Sequence, residues 1–229
     1  IFNRKIAYGT KNMTKEPAMT REQAIRAIEI GIEAAQMMKE KGYHILATGE
    51  MGIGNTTTSS AVASVLLDIP VERMTGRGAG LSTEGLNRKI TAIKKAIALH
   101  QPDKTDAIDV ISKVGGLDIA GMVGCYLGAA YYHLPILIDG FISAISAYLA
   151  GMLSKTAKEY MIPTHGSAEP AAKLAMEHLG MQAPIQAGMH LGEGTGAIMG
   201  LSLIDQGLNV YYHVATWDGA HVEAYTHQK

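Results

Sequence analysis

Short apolar segments alternate along this sequence with longer segments of helical periodicity, and glycine-containing loops join them. The apolar segments are residues 43–48, 135–138 and 161–163. Each is too short for a helix and is bounded by turn-forming residues, which is typical of a buried strand. The alternation predicts an α/β chain with a three-layer, mostly parallel, Rossmann-like sheet and helices on both faces.

End signals mark several of the predicted helices. Thr20-Arg21-Glu22-Gln23 is a capping-box pattern and Gly42 a C-terminal stop signal, so the first helix is expected between them. The further helices are predicted at about 55–67, at Thr83–His100 with Thr83 as cap, at 105–133 with a kink at 115–116, and at 141–151, 155–160, 168–179 and 197–207. Residues 70–82 and the tail from Val214 are predicted to be irregular. Because no repeat or low-complexity linker divides the chain, residues 1–229 are expected to form one domain.

Composition excludes several classes of protein. Hydrophobic residues make up 47% of the chain and charged residues 18%, which indicates a buried core and not disorder. The formal net charge of −1 argues against nucleic acid and membrane surfaces as partners, so an anionic substrate would be held by local groups. No secretory signal is visible, and a cytoplasmic location is expected.

The one cysteine and the longest uncharged segment are both expected to be structural. Cys125 lies in an apolar stretch and is predicted to be a buried thiol, and no Cys/His cluster has zinc spacing. Residues 119–137 are almost uncharged, but His133 and Pro135 interrupt them. A helix, a break and a buried strand explain this segment better than a membrane span.

Ligands of parallel α/β folds bind beyond the carboxyl ends of the strands. The loops after residues 48, 138 and 163, together with the loop before the last helix, are therefore expected to converge on one crevice. The first of them reads Gly-Glu-Met-Gly-Ile-Gly-Asn-Thr-Thr at 49–57. Its glycines and the following helix N-terminus could approach a phosphate, although a tight turn alone explains them too. Glu50 either contacts ribose hydroxyls or a cationic ring, or is a solvated carboxylate.

Two further loops carry polar candidates. Gly76-Arg77-Gly78-Ala79-Gly80 is a second possible anion cradle, and Lys89 follows in the next helix, where lysines are usually solvated. Asp139-Gly140 ends the second predicted strand. His165 and Ser167 follow the third strand, where the histidine is either catalytic or structural and the serine could be a helix cap. No Ser/His/Asp order or nucleophile elbow indicates a hydrolase.

Glu193 lies between two glycines in Leu191-Gly192-Glu193-Gly194-Thr195-Gly196. The bare backbone lets a ligand approach the carboxylate closely. Met189, Leu191 and Met199 are expected to surround it, and burial among apolar groups favours general-base function. The alternative is a turn glutamate exposed to water.

The sequence resembles the nicotinate-nucleotide–dimethylbenzimidazole phosphoribosyltransferases, enzymes of cobamide lower-ligand assembly. Six ordered blocks carry the resemblance: Glu-Pro-Ala-Met-Thr-Arg-Glu-Gln-Ala at 16–24, the 49–57 block, Val-Gly-Gly-Leu-Asp-Ile-Ala-Gly-Met at 114–122, Pro-Ile-Leu-Ile-Asp-Gly-Phe-Ile at 135–142, His-Gly-Ser-Ala-Glu-Pro-Ala at 165–171, and Leu-Gly-Glu-Gly-Thr-Gly-Ala at 191–197. Members are expected to carry a helical N-terminal part, absent here, that helps cover the base pocket.

The resemblance implies that nicotinate mononucleotide and 5,6-dimethylbenzimidazole give α-ribazole 5′-phosphate and nicotinate, without a cofactor or metal, in a homodimer. It implies that Glu193 is the catalytic base and that Glu50 and Lys89 act at the phosphoribosyl site. The substrate-binding rim it implies consists of Met51, Gly52, Gly54, Asn55, Thr56, Gly78, Asp139, Gly140, Ser167, Leu191 and Gly194. Two alternatives remain. One is a nucleotide-phosphate-binding module without catalysis. The other is a nicotinamide-cofactor oxidoreductase, although this sequence lacks the glycine fingerprint of that class.

Overall fold

The computed structural model describes residues 2–223 and 226. These residues contain a parallel sheet of three strands, β1 (Leu46–Ala47), β2 (Ile136–Ile138) and β3 (Met161–Pro163), in the order β1-β2-β3. Leu46 pairs with Ile136, and Ile136 pairs with Met161. The predicted α/β class with a parallel sheet is confirmed.

Helices make up most of the fold and connect the strands. They are α1 (Arg21–Glu40), α2 (Asn55–Leu67), α3 (Val71–Met74), α4 (Thr83–His100), α5 (Ala107–Val114), α6 (Leu117–Tyr131), α7 (Phe141–Leu153), a 3₁₀ helix (Lys155–Tyr160), α8 (Pro170–Leu179) and α9 (Thr195–His213). The capping box at Thr20 is present, with both hydrogen bonds to Gln23. At Gly115-Gly116, where a kink within one helix was expected, the chain instead breaks into two helices, α5 and α6.

The first strand is shorter and more exposed than the buried strand predicted at residues 43–48. Only Leu46 and Ala47 form β1, which lies at an edge of the described sheet, and Ala47 is exposed. An apolar run gives no information on its place in the sheet, so the sequence predicts burial for a strand that has one neighbour in the described sheet. By contrast, all three residues of β2, the central strand, are buried.

Two predicted helix caps, one predicted loop and the bounds of the last helix, Thr195–His213 instead of 197–207, also differ from the predictions. Ser82, not Thr83, caps α4, because its Oγ accepts the N–H of Gly85 at 3.1 Å. Ser167 does not cap α8, which begins at Pro170 with Glu169 in the cap position. Within the predicted loop at 70–82, residues 71–74 form α3.

Close contact between α1 and α6 depends on glycine. A Cβ on Gly124 would lie 1.9 Å from the carbonyl oxygen of Ile28, so no side chain fits at this crossing. Cys125, the next residue, packs against the core, and burial raises the pKa of its thiol to about 11. None of the helices within residues 2–223 combines the length and the apolar character that a membrane-spanning segment needs.

Candidate active site

The four loops singled out in the sequence converge, as predicted, on one cleft beyond the carboxyl ends of the strands. The cleft has a volume of about 510 Å³, which suits a small-molecule substrate. Its walls include Glu50, Met51, Gly52, Thr56, Gly78, Gly140, His165, Ser167, Leu191 and Glu193. Asn55 and Lys89 are not in this wall but donate hydrogen bonds to Glu50 and Thr56, which are. Asp139 and Gly194 are also outside it and bond to each other, next in sequence to Gly140 and Glu193 of the wall.

Glu50 is half-buried at the base of the first loop. Its Oε2 accepts the N–H of Gly52 at 2.6 Å and the amide of Asn55 at 2.5 Å. Burial raises the pKa of the Glu50 carboxyl above its ordinary value, and the two hydrogen bonds oppose this. The carbonyl oxygen of Glu50 accepts the N–H of Glu193 at 3.0 Å, which joins the first and last loops.

Asn55 connects two carboxylates. Its Nδ2 donates to Glu50 and also to Oδ2 of Asp118 at 2.7 Å, while its buried Oδ1 has no hydrogen-bond partner among the described residues. Asp118, which no sequence pattern singles out, lies in the first turn of α6 within one of the six blocks. Its charge also raises the pKa of Glu50.

Glu193 has a left-handed backbone conformation, with φ of 57°. Gly192 and Gly194 have φ of 76° and 79°, so three successive residues are left-handed. A left-handed conformation costs a non-glycine residue roughly 1–2 kcal/mol. The turn is held by Thr195, whose N–H and hydroxyl both donate to the carbonyl oxygen of Gly192.

The Glu193 side chain is exposed, which differs from the apolar enclosure expected from the sequence. Leu191 is 65% exposed and Met199 48% exposed. Met51 and Ile198 nearby are also exposed. The left-handed turn presents the carboxylate at the surface, and the described apolar side chains form an open surface beside it rather than a closed pocket.

Asp139 is buried at the end of β2 and stabilises the last loop. Its Oδ2 accepts the N–H of Gly194 and its Oδ1 that of Ala197, each at 3.0 Å. Because Gly194 is the N-cap of α9 and has no capping side chain, Asp139 supplies the cap from a distant segment. Both of its oxygens are therefore committed to the protein backbone.

Lys89 is buried, only 6% exposed, so the solvated alternative does not apply. Its Nζ donates to Oγ1 of Thr56 at 2.9 Å and to the carbonyl oxygen of Gly76 at 3.1 Å. Burial lowers the pKa of the Lys89 ammonium from its ordinary value, and the charge of Glu169 opposes this. Lys89 thus places a buried positive charge behind Thr56 in the cleft wall.

His165 and Ser167 follow β3. His165 is 5% exposed and packs against α9, where a Cβ on Gly196 would lie 1.8 Å from its Nδ1. Burial lowers the pKa of this imidazole, and the charge of Asp139 opposes the effect. Ser167 accepts the N–H of Glu169 at 3.3 Å and lines the cleft. Within the described part of the chain no group of three or more His, Cys, Asp or Glu residues could hold a metal ion.

Comparisons with known proteins identify relatives over nearly the whole chain. The sequence model of a family described as "Phosphoribosyltransferase" matches residues 2–222. A Clostridium acetobutylicum protein named nicotinate-nucleotide–dimethylbenzimidazole phosphoribosyltransferase is 51% identical over 98% of this chain and 64% of its own length. A protein of that name from Acetivibrio thermocellus is 52% identical over 100% of this chain and 65% of its own length. The chain thus spans slightly less than two thirds of these relatives.

A solved structure gives the same result. The crystal structure of CobT from Thermus thermophilus matches with a TM-score of 0.91 and 36% identity, covering 98% of this chain and 67% of that one. A second structure from this organism is titled as the nicotinate-nucleotide–dimethylbenzimidazole phosphoribosyltransferase and matches with a TM-score of 0.89 and 35% identity, covering 98% of this chain and 66% of that one. The chain therefore belongs to the nicotinate-nucleotide–dimethylbenzimidazole phosphoribosyltransferase family.

Proposed function

We propose that this chain carries the site that moves the phosphoribosyl group of nicotinate mononucleotide to 5,6-dimethylbenzimidazole. The products are α-ribazole 5′-phosphate, for cobalamin lower-ligand assembly, and nicotinate. The observation that carries the proposal is the joined pair of acidic loops, in which the Glu193 N–H bonds to the carbonyl oxygen of Glu50 at the mouth of the cleft. The names of the full-length relatives support the choice of substrates.

The proposed transfer is a single displacement at C1′ of the ribose. One benzimidazole nitrogen attacks C1′ while the bond from C1′ to the pyridinium nitrogen breaks, and that nitrogen keeps the electron pair as neutral-ring nicotinate leaves. Attack from the opposite face inverts C1′ and converts a β-nucleotide into an α-nucleotide. The second benzimidazole nitrogen loses its proton to Glu193, which acts as general base. Both substrates must be bound together, so positioning supplies much of the rate.

The remaining site residues are proposed to hold the phosphoribosyl group. Thr56, backed by the Lys89 ammonium at 2.9 Å, offers a hydroxyl at the cleft wall, and the Gly76–Gly80 turn offers backbone N–H groups. Glu50 is proposed to face the ribose hydroxyls. Met51, Gly52, Gly54, Gly140, Ser167 and Leu191 complete the proposed rim.

Glu193→Gln tests the base assignment. The backbone bond to Glu50 does not involve the side chain, so the variant keeps the loop in place and removes only the proton acceptor. We expect α-ribazole phosphate formation to fall roughly 10²–10⁴-fold, with nicotinate mononucleotide binding unchanged. Undiminished turnover would contradict the assignment.

A second candidate is a nucleotide-phosphate-binding module without catalysis. The exposure of Glu193 and its apolar neighbours favours it, because the described residues leave the cleft open beside Glu193, where the benzimidazole would bind. Calorimetry with nicotinate mononucleotide, paired with a product assay, separates the two: binding without product supports the module, and product formation supports the transferase.

We also propose a single domain that forms a homodimer in the cytoplasm. Leu203, Val210 and Tyr211 on α9 are 49%, 60% and 78% exposed, which supplies apolar surface for association. One cysteine without a disulfide partner suits a reducing compartment. A molar mass of one chain, measured by light scattering, would contradict the proposed homodimer.

A further inference from the structure

The carboxylate of Glu169 extends from the start of α8 to the Gly76–Gly80 turn. Its Oε1 accepts the N–H of Gly78 at 2.9 Å. Its Oε2 is buried and has no hydrogen-bond partner among the described residues. A Cβ on Gly76 would lie 2.0 Å from this oxygen, so the carboxylate occupies the space that a side chain at position 76 would need.

Capping of α8 does not explain this side chain. Glu169 occupies the N-cap position, but its carboxylate makes no capping hydrogen bond. A helix cap normally satisfies free N–H groups of its own helix. Glu169 instead leaves its helix and bonds to a turn that is distant in sequence, while half of the carboxylate stays unsatisfied. Such an arrangement costs free energy, which indicates a role at the turn.

Lys89 contacts the same turn through another group. Its Nζ donates to the carbonyl oxygen of Gly76, while Glu169 accepts the N–H of Gly78. The turn is thus fixed by a buried cation and a half-buried anion, and Glu169 and Lys89 form no ion pair within 4.0 Å in the described structure. Two opposite charges bound to neighbouring backbone groups define one orientation of the turn.

The fixed turn presents Ala79 to the cleft. Ala79 is exposed and lines the cleft wall, and no hydrogen bond among the described residues uses its N–H. Thr56 lies next to the turn, with its Oγ1 2.8 Å from the place of a Cβ on Gly78. A backbone N–H and a hydroxyl backed by a lysine are suitable donors for a phosphate.

We propose that Glu169 is a positioning residue that fixes the Gly76–Gly80 turn against Lys89, so that the Ala79 N–H and the Thr56 hydroxyl face the 5′-phosphate of the nucleotide. This inference rests on the proposed function for the identity of the nucleotide. Glu169 does not touch the reacting atoms. Because a glycine-rich turn must otherwise be ordered during binding, the contribution of Glu169 belongs to nucleotide affinity and not to the chemical step.

The first test compares Glu169→Ala and Glu169→Gln in the full chain, with Glu177→Gln as a matched control. Glu177 is an exposed carboxylate on the same helix. The alanine variant is expected to raise the Kd and KM for nicotinate mononucleotide about 10-fold, which corresponds to one lost buried hydrogen bond, with kcat and the KM for the base unchanged. Glutamine restores affinity, because its oxygen still accepts the Gly78 N–H. Equal nucleotide affinity of wild type and the alanine variant would overturn the inference.

The second test does not depend on substrate. Amide hydrogen exchange at Gly78, whose N–H bonds to Glu169, is expected to be about 10-fold faster in Glu169→Ala, and near the wild-type rate in Glu169→Gln and Glu177→Gln. Unchanged exchange in the alanine variant would overturn the positioning role, whatever the ligand. Failure of the wild-type chain to bind nicotinate mononucleotide would instead overturn the proposed function and, with it, the assignment of the turn to a nucleotide phosphate.

Discussion

The backbone N–H of Glu193 donates a hydrogen bond to the carbonyl oxygen of Glu50 at 3.0 Å. This bond joins the loop after β1 to the loop before α9. A Cβ on Gly49 would lie 2.6 Å from the nitrogen of Gly194, so the two backbones touch without room for a side chain. The place of the Glu193 carboxylate is therefore set by backbone contacts, and substitutions at 193 test its chemistry and its conformation separately.

Glu193→Gly is expected to be more stable than Glu193→Ala by about 0.5–1 kcal/mol. Both variants lack the carboxylate, but alanine keeps the left-handed strain at φ of 57°, whereas glycine relieves it at some cost in unfolded-state entropy. Urea denaturation measures the difference. A glycine variant less stable than the alanine variant would show that the turn stores no strain.

Glu50→Gln is expected to stabilise the fold at neutral pH, by less than about 1 kcal/mol because the side chain is half-exposed. Burial raises the pKa of Glu50, so the folded protein binds this proton more tightly than the unfolded chain. The stability that the proton confers is present at low pH and is lost as pH rises through the folded pKa. The advantage of the glutamine should therefore disappear in acid, as measured by thermal unfolding across pH.

Glu22→Gln is a control in which the pH dependence of stability is expected to have the opposite sign, because the pKa of Glu22 is lowered and not raised. Glu22 lies in the first turn of α1, where a backbone hydrogen bond lowers the pKa of its carboxyl. Its stabilising effect is present at neutral pH and is lost as pH falls through the folded pKa, so this variant should be less stable at neutral pH only. If the stability difference from wild type changes with pH in the same direction in both variants, the assigned environment of Glu50 is wrong.

Asp139→Ala is expected to lower the free energy of unfolding by about 2 kcal/mol, because it removes a buried acceptor from the N–H groups of Gly194 and Ala197 at the start of α9. Asp106→Ala is a matched comparison, since Asp106 caps α5 locally and is more exposed. We expect a loss there of about 1 kcal/mol. Activity should fall only in Asp139→Ala, which releases the loop of Glu193. Denaturant titration measures the stability losses and a product assay measures activity. A smaller loss of stability in Asp139→Ala than in Asp106→Ala would contradict the capping role of Asp139.

Gly196→Ala and Gly207→Ala place the same methyl group at two points of α9. At 196 the Cβ would meet the imidazole of His165, and displacement of this buried side chain should cost about 1–3 kcal/mol. At 207 the Cβ meets nothing within 4 Å, so alanine should stabilise the helix by up to about 1 kcal/mol. Thermal unfolding of the two variants should shift in opposite directions; equal shifts would mean that His165 does not pack as described.

The amino-acid sequence by itself determined the features that depend on neighbouring residues. The capping box of α1 and the strands β2 and β3 follow from short patterns, because their signals lie within a few residues of one another. The convergence of the loops followed from a general property of parallel sheets. Six ordered blocks identified the family, since each preserves a local turn or helix start.

The tertiary structure alone decided which groups meet across the fold. Asp139 caps a helix that begins far along the chain, and Glu169 leaves its own helix for the Gly78 turn. The exposure of Glu193, the burial of Lys89 and the edge position of β1 likewise depend on packing. Hydrogen-bond partners and burial are set by elements brought together from distant segments, and a pattern of residue types contains no distance between them.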